Sequence, residues 1–235
     1  MSLVRTAACL VAALLSVLAV SSAAAPFPVR LGNERLVLDA PPGFADTTEL
    51  ASPRLQAVAE TLLPATNRIL VFALSDDDLR RFMLGDPVDA RRYLIAATPK
   101  GMEHQRVSQE MFAIHVNDSL AGLGAPVNPP ELVPFLREQP IGKAFVLSEL
   151  KREPGMASIL QCARMPDRPA TTFWGSPTPR NLCYTTTLFL IRGKALRLGA
   201  YAIYENQAEV DLDWLKSITK RWQEELLRLN RDSAR

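Results

Sequence analysis

Histidine is almost missing from this chain, with His104 and His115 the only two in 235 residues. They carry no Cys, Asp or Glu at metal-ligand spacing around them, and no His-Glu-x-x-His pair occurs, so a zinc-hydrolase motif is excluded. Two histidines also leave few bases for a serine or cysteine nucleophile. Ser176 follows Gly175, but Gly175-Ser176-Pro177-Thr178-Pro179 is not a Gly-x-Ser-x-Gly elbow, and its prolines oppose the strand-turn-helix that the elbow needs. Glycine is sparse at 11 residues, and Gly122-Leu123-Gly124 is too small a fragment of a dinucleotide fingerprint to count. No phosphate-binding loop is present either. These absences lead us to expect no cofactor and no metal. Charge of one sign is lacking as well: 27 basic against 25 acidic side chains give +2, too little for a nucleic-acid-binding face. Long hydrophobic runs are confined to the N-terminus, which excludes a multi-span membrane protein. A content of 48% hydrophobic and 22% charged residues is that of a folded globular chain and excludes a disordered one.

What the N-terminus does contain is a targeting pattern. Arg5 precedes an apolar run from Ala7 to Val20, and the small residues Ser21 to Ala25 follow. This is the layout of a secretory signal peptide, residues 1–24, with small side chains at Ser22 and Ala24 and the cut placed between Ala24 and Ala25. The segment leaves one alternative open, an uncleaved anchor, because the run is near the ~17-residue lower limit for a membrane span. Cys9 lies at the start of the run, out of place for a lipoprotein site. The expected location is the periplasm or the exterior, with no integral span after cleavage.

Cleavage would leave two cysteines, Cys162 and Cys183, and an exported chain with an even count invites a disulfide. Both lie in strand-like segments, 157–164 and 181–191, and antiparallel pairing about the Pro-rich stretch between them would bring the thiols together. No Cys-x-x-Cys spacing exists to depress a thiol pKa, so the pair reads as structural.

Along the rest of the chain, Val29–Leu31 and Arg35–Leu38 flank Gly32-Asn33 as a hairpin. Ser52-Pro53 opens a helix in which Leu55, Val58, Ala59 and Leu62 recur at helical spacing until Pro64. Asn67–Leu74 and Arg91–Thr98 read as strands. Ser108–Gly122 is assigned to a helix although Phe112, Ile114 and Val116 alternate. Residues 124–130 form the best linker, with a short helix at 131–137 after it. Four strands then follow in a meander (143–151, 156–165, 181–191 and 195–204) with turn residues between them. The chain closes with a helix at 209–229 whose Leu215, Ile218, Trp222, Leu226 and Leu229 form one stripe. The expected fold is one α+β domain over residues 25–235, an antiparallel β-sheet covered by helices, with a possible internal boundary at 124–130.

Few residues stand out as sites. Asp76-Asp77-Asp78 after Ser75 reads as a capped helix start favoured by the helix dipole, since consecutive carboxylates do not alternate as calcium-loop ligands do. Asn117-Asp118-Ser119 matches a glycosylation sequon inside a predicted helix. Trp174, in the Pro-rich loop, is a candidate partner contact, with closure of the core by Phe173 and Trp174 as the competing role. Tyr184, Tyr201 and Tyr204 read as ordinary strand aromatics.

Residues Leu38 to Phe44, Ser52-Pro53-Arg54-Leu55, Asn67-Arg68-Ile69-Leu70 and the closing Asp211-Leu212-Asp213-Trp214-Leu215 to Trp222 helix resemble uncharacterised exported bacterial proteins. The likeness spans most of the chain but consists of packing signatures, so it carries over no catalytic residue. At the level of architecture, a helix-covered sheet ending in a long helix is similar to the PsbP/Mog1-like fold, whose members are mostly accessory or binding proteins; an architecture by itself assigns no function. We therefore expect a non-enzymatic exported binding or accessory protein, with an unidentified protein or envelope partner and no nucleic acid. The alternative is an enzyme that brings carboxylates together from Glu103, Glu110 or Asp118.

Overall fold

In a computed structural model, residues 25–86, 90–165, 180–205 and 211–231 are described. The signal segment and its cleavage residue Ala24 lie outside them.

Phe27–Leu31 (β1) and Glu34–Leu38 (β2) form the expected hairpin, turning at Gly32 with φ +56°. Seven further strands make one antiparallel sheet in the order β3-β4-β5-β9-β8-β7-β6. They are Phe44–Asp46 (β3), Asn67–Ser75 (β4), Arg92–Pro99 (β5), Ala144–Glu153 (β6), Met156–Arg164 (β7), Arg180–Ile191 (β8) and Lys194–Glu205 (β9). The C-terminal meander is present as expected, and β9 joins it to β5, so strands from both sides of residues 124–130 share one sheet. The sequence reading missed β3. It spans only three residues, and pairing with β4 rather than any local pattern makes it a strand.

Five α-helices accompany the sheet: Pro53–Leu62 (α1), Asp76–Leu84 (α2), Gln109–Ala121 (α3), Leu132–Glu138 (α4) and Leu212–Arg231 (α5). Proline opens α1, where its missing N–H costs nothing. Ser75 settles the role of the acidic triplet: its hydroxyl accepts the Asp78 amide at 3.1 Å, and Asp76–Asp78 fill the first turn of α2. Ser108 caps α3 likewise, accepting the Met111 amide at 3.2 Å. Helix wins over the alternating pattern there because Phe112 and Val116, four residues apart, both go inward while Ile114 stays exposed.

The two sheet faces are covered differently. On one, the stripe Leu215, Ile218, Trp222 and Leu226 of α5 packs on β7, β8 and β9 together with the β1–β2 hairpin and Leu136 of α4. Polar pins orient α5 there. Trp222 Nε1 donates to the Asp39 carbonyl at 2.7 Å, Gln223 Nε2 donates to Thr187 Oγ1 at 2.8 Å, and the Asn230 amide exchanges hydrogen bonds with both backbone groups of Val37. On its outer side Arg228 pairs with Glu225, three residues away. Among the described residues, helices cover the opposite face at its two ends. Helix α1 seals Phe72, Leu74, Tyr93 and Ile95, and α3 seals Ala157 and Ala195. Between α1 and α3 runs a trough floored by β5, β9, β8 and β7.

Both cysteines fall on the α5-covered face, at directly opposed positions of β7 and β8. Their Cα atoms are 4.0 Å apart and the sulfurs stand at disulfide distance, as the antiparallel reading required.

Candidate functional site

Strand alternation places Arg197, Gly199 and Tyr201 of β9 on the trough face, with Tyr184, Thr186 and Leu188 beside them on β8 and Ile159 and Gln161 on β7. Register turns these into rows. Tyr93, Tyr201, Tyr184 and Gln161 are directly opposed across four neighbouring strands. The Tyr93 and Tyr201 rings stack with centroids 4.7 Å apart and planes 5° from parallel, and Tyr184 stacks on the other side of Tyr201 at 5.5 Å and 18°. Cross-strand aromatic neighbours of this kind stiffen a sheet surface.

The row depends on a gap in the next one. A Cβ at Gly199 would lie 2.5 Å from Tyr201 Cε2 and 2.6 Å from its hydroxyl oxygen. The Tyr201 ring therefore folds back over Gly199, and Arg197 is close enough for its charge to favour ionisation of the Tyr201 hydroxyl. Burial raises the ionisation of Tyr201 and Tyr184 above the ordinary tyrosine value; the Arg197 charge pulls both the other way without cancelling the effect. Both phenols stay neutral at physiological pH. Tyr204 points to the opposite face and donates to the Asp211 carbonyl at 3.1 Å, with burial pushing it up to about 12.

Beside this row, between α3 and the floor, is a cavity of about 320 Å³. Its floor is Ile159, Gln161, Tyr184, Thr186, Leu188 and Arg197, and Phe112, His115, Ser119 and Leu120 look in from α3. Thr186 donates weakly to Gln161 Oε1 at 3.4 Å. Arg197 Nε is buried and has no hydrogen-bond partner among the described residues. A second cavity, about 540 Å³, lies under α1 against Ile69 and Phe72, with Arg68 and Lys100 at its edge. Asn67 borders both cavities.

The residues singled out from sequence are distributed differently. Glu103 is held by Arg68 in an ion pair. Glu110 borders a separate groove of about 480 Å³ against the β6–β7 turn, where Arg152 donates to Asn117 Oδ1 at 2.6 Å. Asp118 is exposed on α3. None of the three cavities is lined by more than one of these carboxylates. His115 reaches the trough, and His104 does not line it. Trp174 lies outside the described residues. No group of three or more His, Cys, Asp or Glu poised for a metal ion occurs among the described residues, and no described helix is long and apolar enough to cross a membrane. Sequence reasoning missed Arg197, Tyr93 and Gly199. The available signal was a strand, Lys194–Glu205, carrying arginine, glycine and tyrosine on one side and Leu196, Leu198, Ala200 and Ala202 on the other.

No family profile and no curated protein sequence matches the chain. Among solved structures, it is similar to the Saccharomyces cerevisiae Ran-binding protein Mog1p and to a point mutant of Mog1. Each is 16% identical over 88% of this chain and 93% of the other, with a TM-score of 0.33. That likeness is too weak to carry an argument about function.

Proposed function

We propose that this protein is an exported binding or accessory protein that holds a small ligand in the trough between α1 and α3 and performs no chemistry on it. The observation that carries this reading is the cavity of about 320 Å³ built on rigid strands, where Gln161, Thr186, Arg197 and the Tyr184 ring converge beneath His115. A mostly apolar concavity with a few fixed polar groups is what a small-molecule site requires. Among the described residues no hydrogen bond joins Ser119 or Thr186 to His115, and the Tyr184 phenol is held neutral, which favours retention over catalysis. The signal pattern at 1–24 supports export.

The test is a titration of isotope-labelled protein, residues 25–235, with a chemically diverse fragment set, read by amide chemical shifts. Shifts are expected to cluster at 112–120, 159–161, 184–188 and 195–197. Shifts that cluster elsewhere, or turnover of a fragment, would overturn the reading. Export is tested by the intact mass of protein from the periplasm, expected to begin at Ala25 and to take up no alkylating reagent without reduction.

A further inference from the structure

We infer that the trough cavity takes a carboxylate carried on an apolar body, with Arg197 as its counter-ion; this rests on the reading that the cavity is the binding site. The charge pattern comes first. Arg197 lines the cavity, and no Asp or Glu among the described residues does. Every other arginine that the structure ties to an acid, such as Arg68 with Glu103 or Arg92 with Asp211, lies elsewhere. The electrostatic neighbour of Arg197 is the neutral Tyr201 phenol instead.

The second argument is solvation. Arg197 Nε is buried with no hydrogen-bond partner among the described residues, while the side chain as a whole is half-buried and lines the cavity. A partly desolvated cation that the described residues leave without an anion is stabilised by an arriving carboxylate at its accessible nitrogens. Shape agrees with charge. A guanidinium presents parallel N–H groups in one plane, which two carboxylate oxygens match. A single cation suits one carboxylate and falls short of a polyphosphate.

The rest of the ligand follows from the walls. Phe112 and Leu120 on α3 and Ile159 and Leu188 on the floor present hydrocarbon, and Tyr184 presents an aromatic ring. A volume of about 320 Å³ is at the small end of ligand sites, which fits a medium-chain or aryl monocarboxylate.

The test compares octanoate and 4-phenylbutyrate with octanamide and 4-phenylbutanamide by calorimetric titration at pH 7.5, on the wild type and on Arg197→Met. The acids are expected to bind the wild type at least tenfold more tightly than the amides, and Arg197→Met to reduce acid affinity at least tenfold, to the level of the amides. Thermal unfolding of Arg197→Met should occur at or above the wild-type temperature, because the substitution removes a buried N–H that has no partner among the described residues. Should that variant fail to fold, the comparison of acid with amide on the wild type decides alone. Equal affinity for acids and amides, or an acid preference that survives in Arg197→Met, would overturn the carboxylate inference and leave the cavity reading standing. If acids bind no better than amides and the fragment set also leaves the cavity residues unshifted, both readings fall.

Discussion

Replacing Gly199 with alanine is a test of the trough floor, because the three atoms nearest the added methyl all belong to one side chain. Its Cβ would stand 2.5 to 2.7 Å from three atoms of the Tyr201 ring. Ordinary carbon contacts are ~3.5–4.0 Å, so the ring must retreat by about 1 Å. The far end of a tyrosine would usually swing aside at little cost, but this ring is held between Tyr93 at 4.7 Å and Tyr184 at 5.5 Å. Overpacking of this kind costs about 1–3 kcal/mol, and a disturbed aromatic pair adds about 0.5–1.5 kcal/mol. Against this, alanine for glycine inside a strand gains about 0.5–1 kcal/mol. The net expectation for Gly199→Ala is a loss of about 2 kcal/mol. In a Tyr201→Ala background the three closest atoms are gone, and the same substitution should be neutral or stabilising. Urea unfolding of the four proteins in this cycle, followed by tryptophan fluorescence, gives the coupling directly, and about 2 kcal/mol is expected. An equal effect of Gly199→Ala in both backgrounds would refute the claim that Tyr201 occupies the place of the missing side chain.

Two other substitutions probe the opposite face. Asp39, just after β2, is 9% exposed, its Oδ1 has no partner among the described residues, and burial pushes its carboxyl from 3.8 up to about 6, with Glu225 adding to the rise while the Ala40 amide and Arg228 lower it. A raised acid favours the protonated folded form, so the cost of its charge is absent below 3.8, grows between 3.8 and 6, and is complete above about 6. Asp39→Asn should therefore stabilise the protein at pH 7.5 by about 1–2 kcal/mol after solvent screening, and show no such gain at pH 3.5. A gain independent of pH in urea unfolding would contradict this. Cys162→Ala with Cys183→Ala should remove about 3 kcal/mol of loop-closure stabilisation under oxidising conditions, for a sequence separation of 21 residues, and change nothing under full reduction beyond the loss of two small buried groups. Equal stability of wild type and double variant without reductant would show that the bond does not form.

Much of this fold could be read locally. Ser75 and Ser108 announced two helix starts, because each hydroxyl accepts a backbone amide within one turn of chain, and Pro53 announced a third by its place in the first turn, where Ser52 makes no side-chain cap. The Gly32, Gly155 and Gly193 turns marked the hairpins, each glycine taking a positive φ. Strand order could not be read this way. The pairing of β5 with β9 joins residues about a hundred apart and leaves no periodic trace in either segment. The site failed to show for the same reason. Tyr93, Tyr201 and Tyr184 become neighbours only once three strands are in register, and Gly199 looks like a dispensable break in β9 until the ring lying on it is seen. Arg197 looked like one more charge on a strand, because nothing in the sequence reports that an arginine will lack an acid.

The placement of the cysteines implies an order of events. Both are fully buried, and they share a cluster with Leu215, Ile218 and Trp222 of the last helix in the chain. Oxidant can reach the thiols only while that helix is undocked, whereas the thiols can meet only when β7 and β8 are already in their final register, which places Cys162 opposite Cys183. Bond formation thus falls in the interval after the central hairpin has zipped and before the C-terminal segment settles. A chain whose strands have slipped cannot close the bond, and one whose last helix has docked hides it from any reductant, so the oxidised, folded molecule carries a lasting record that its central strands paired correctly.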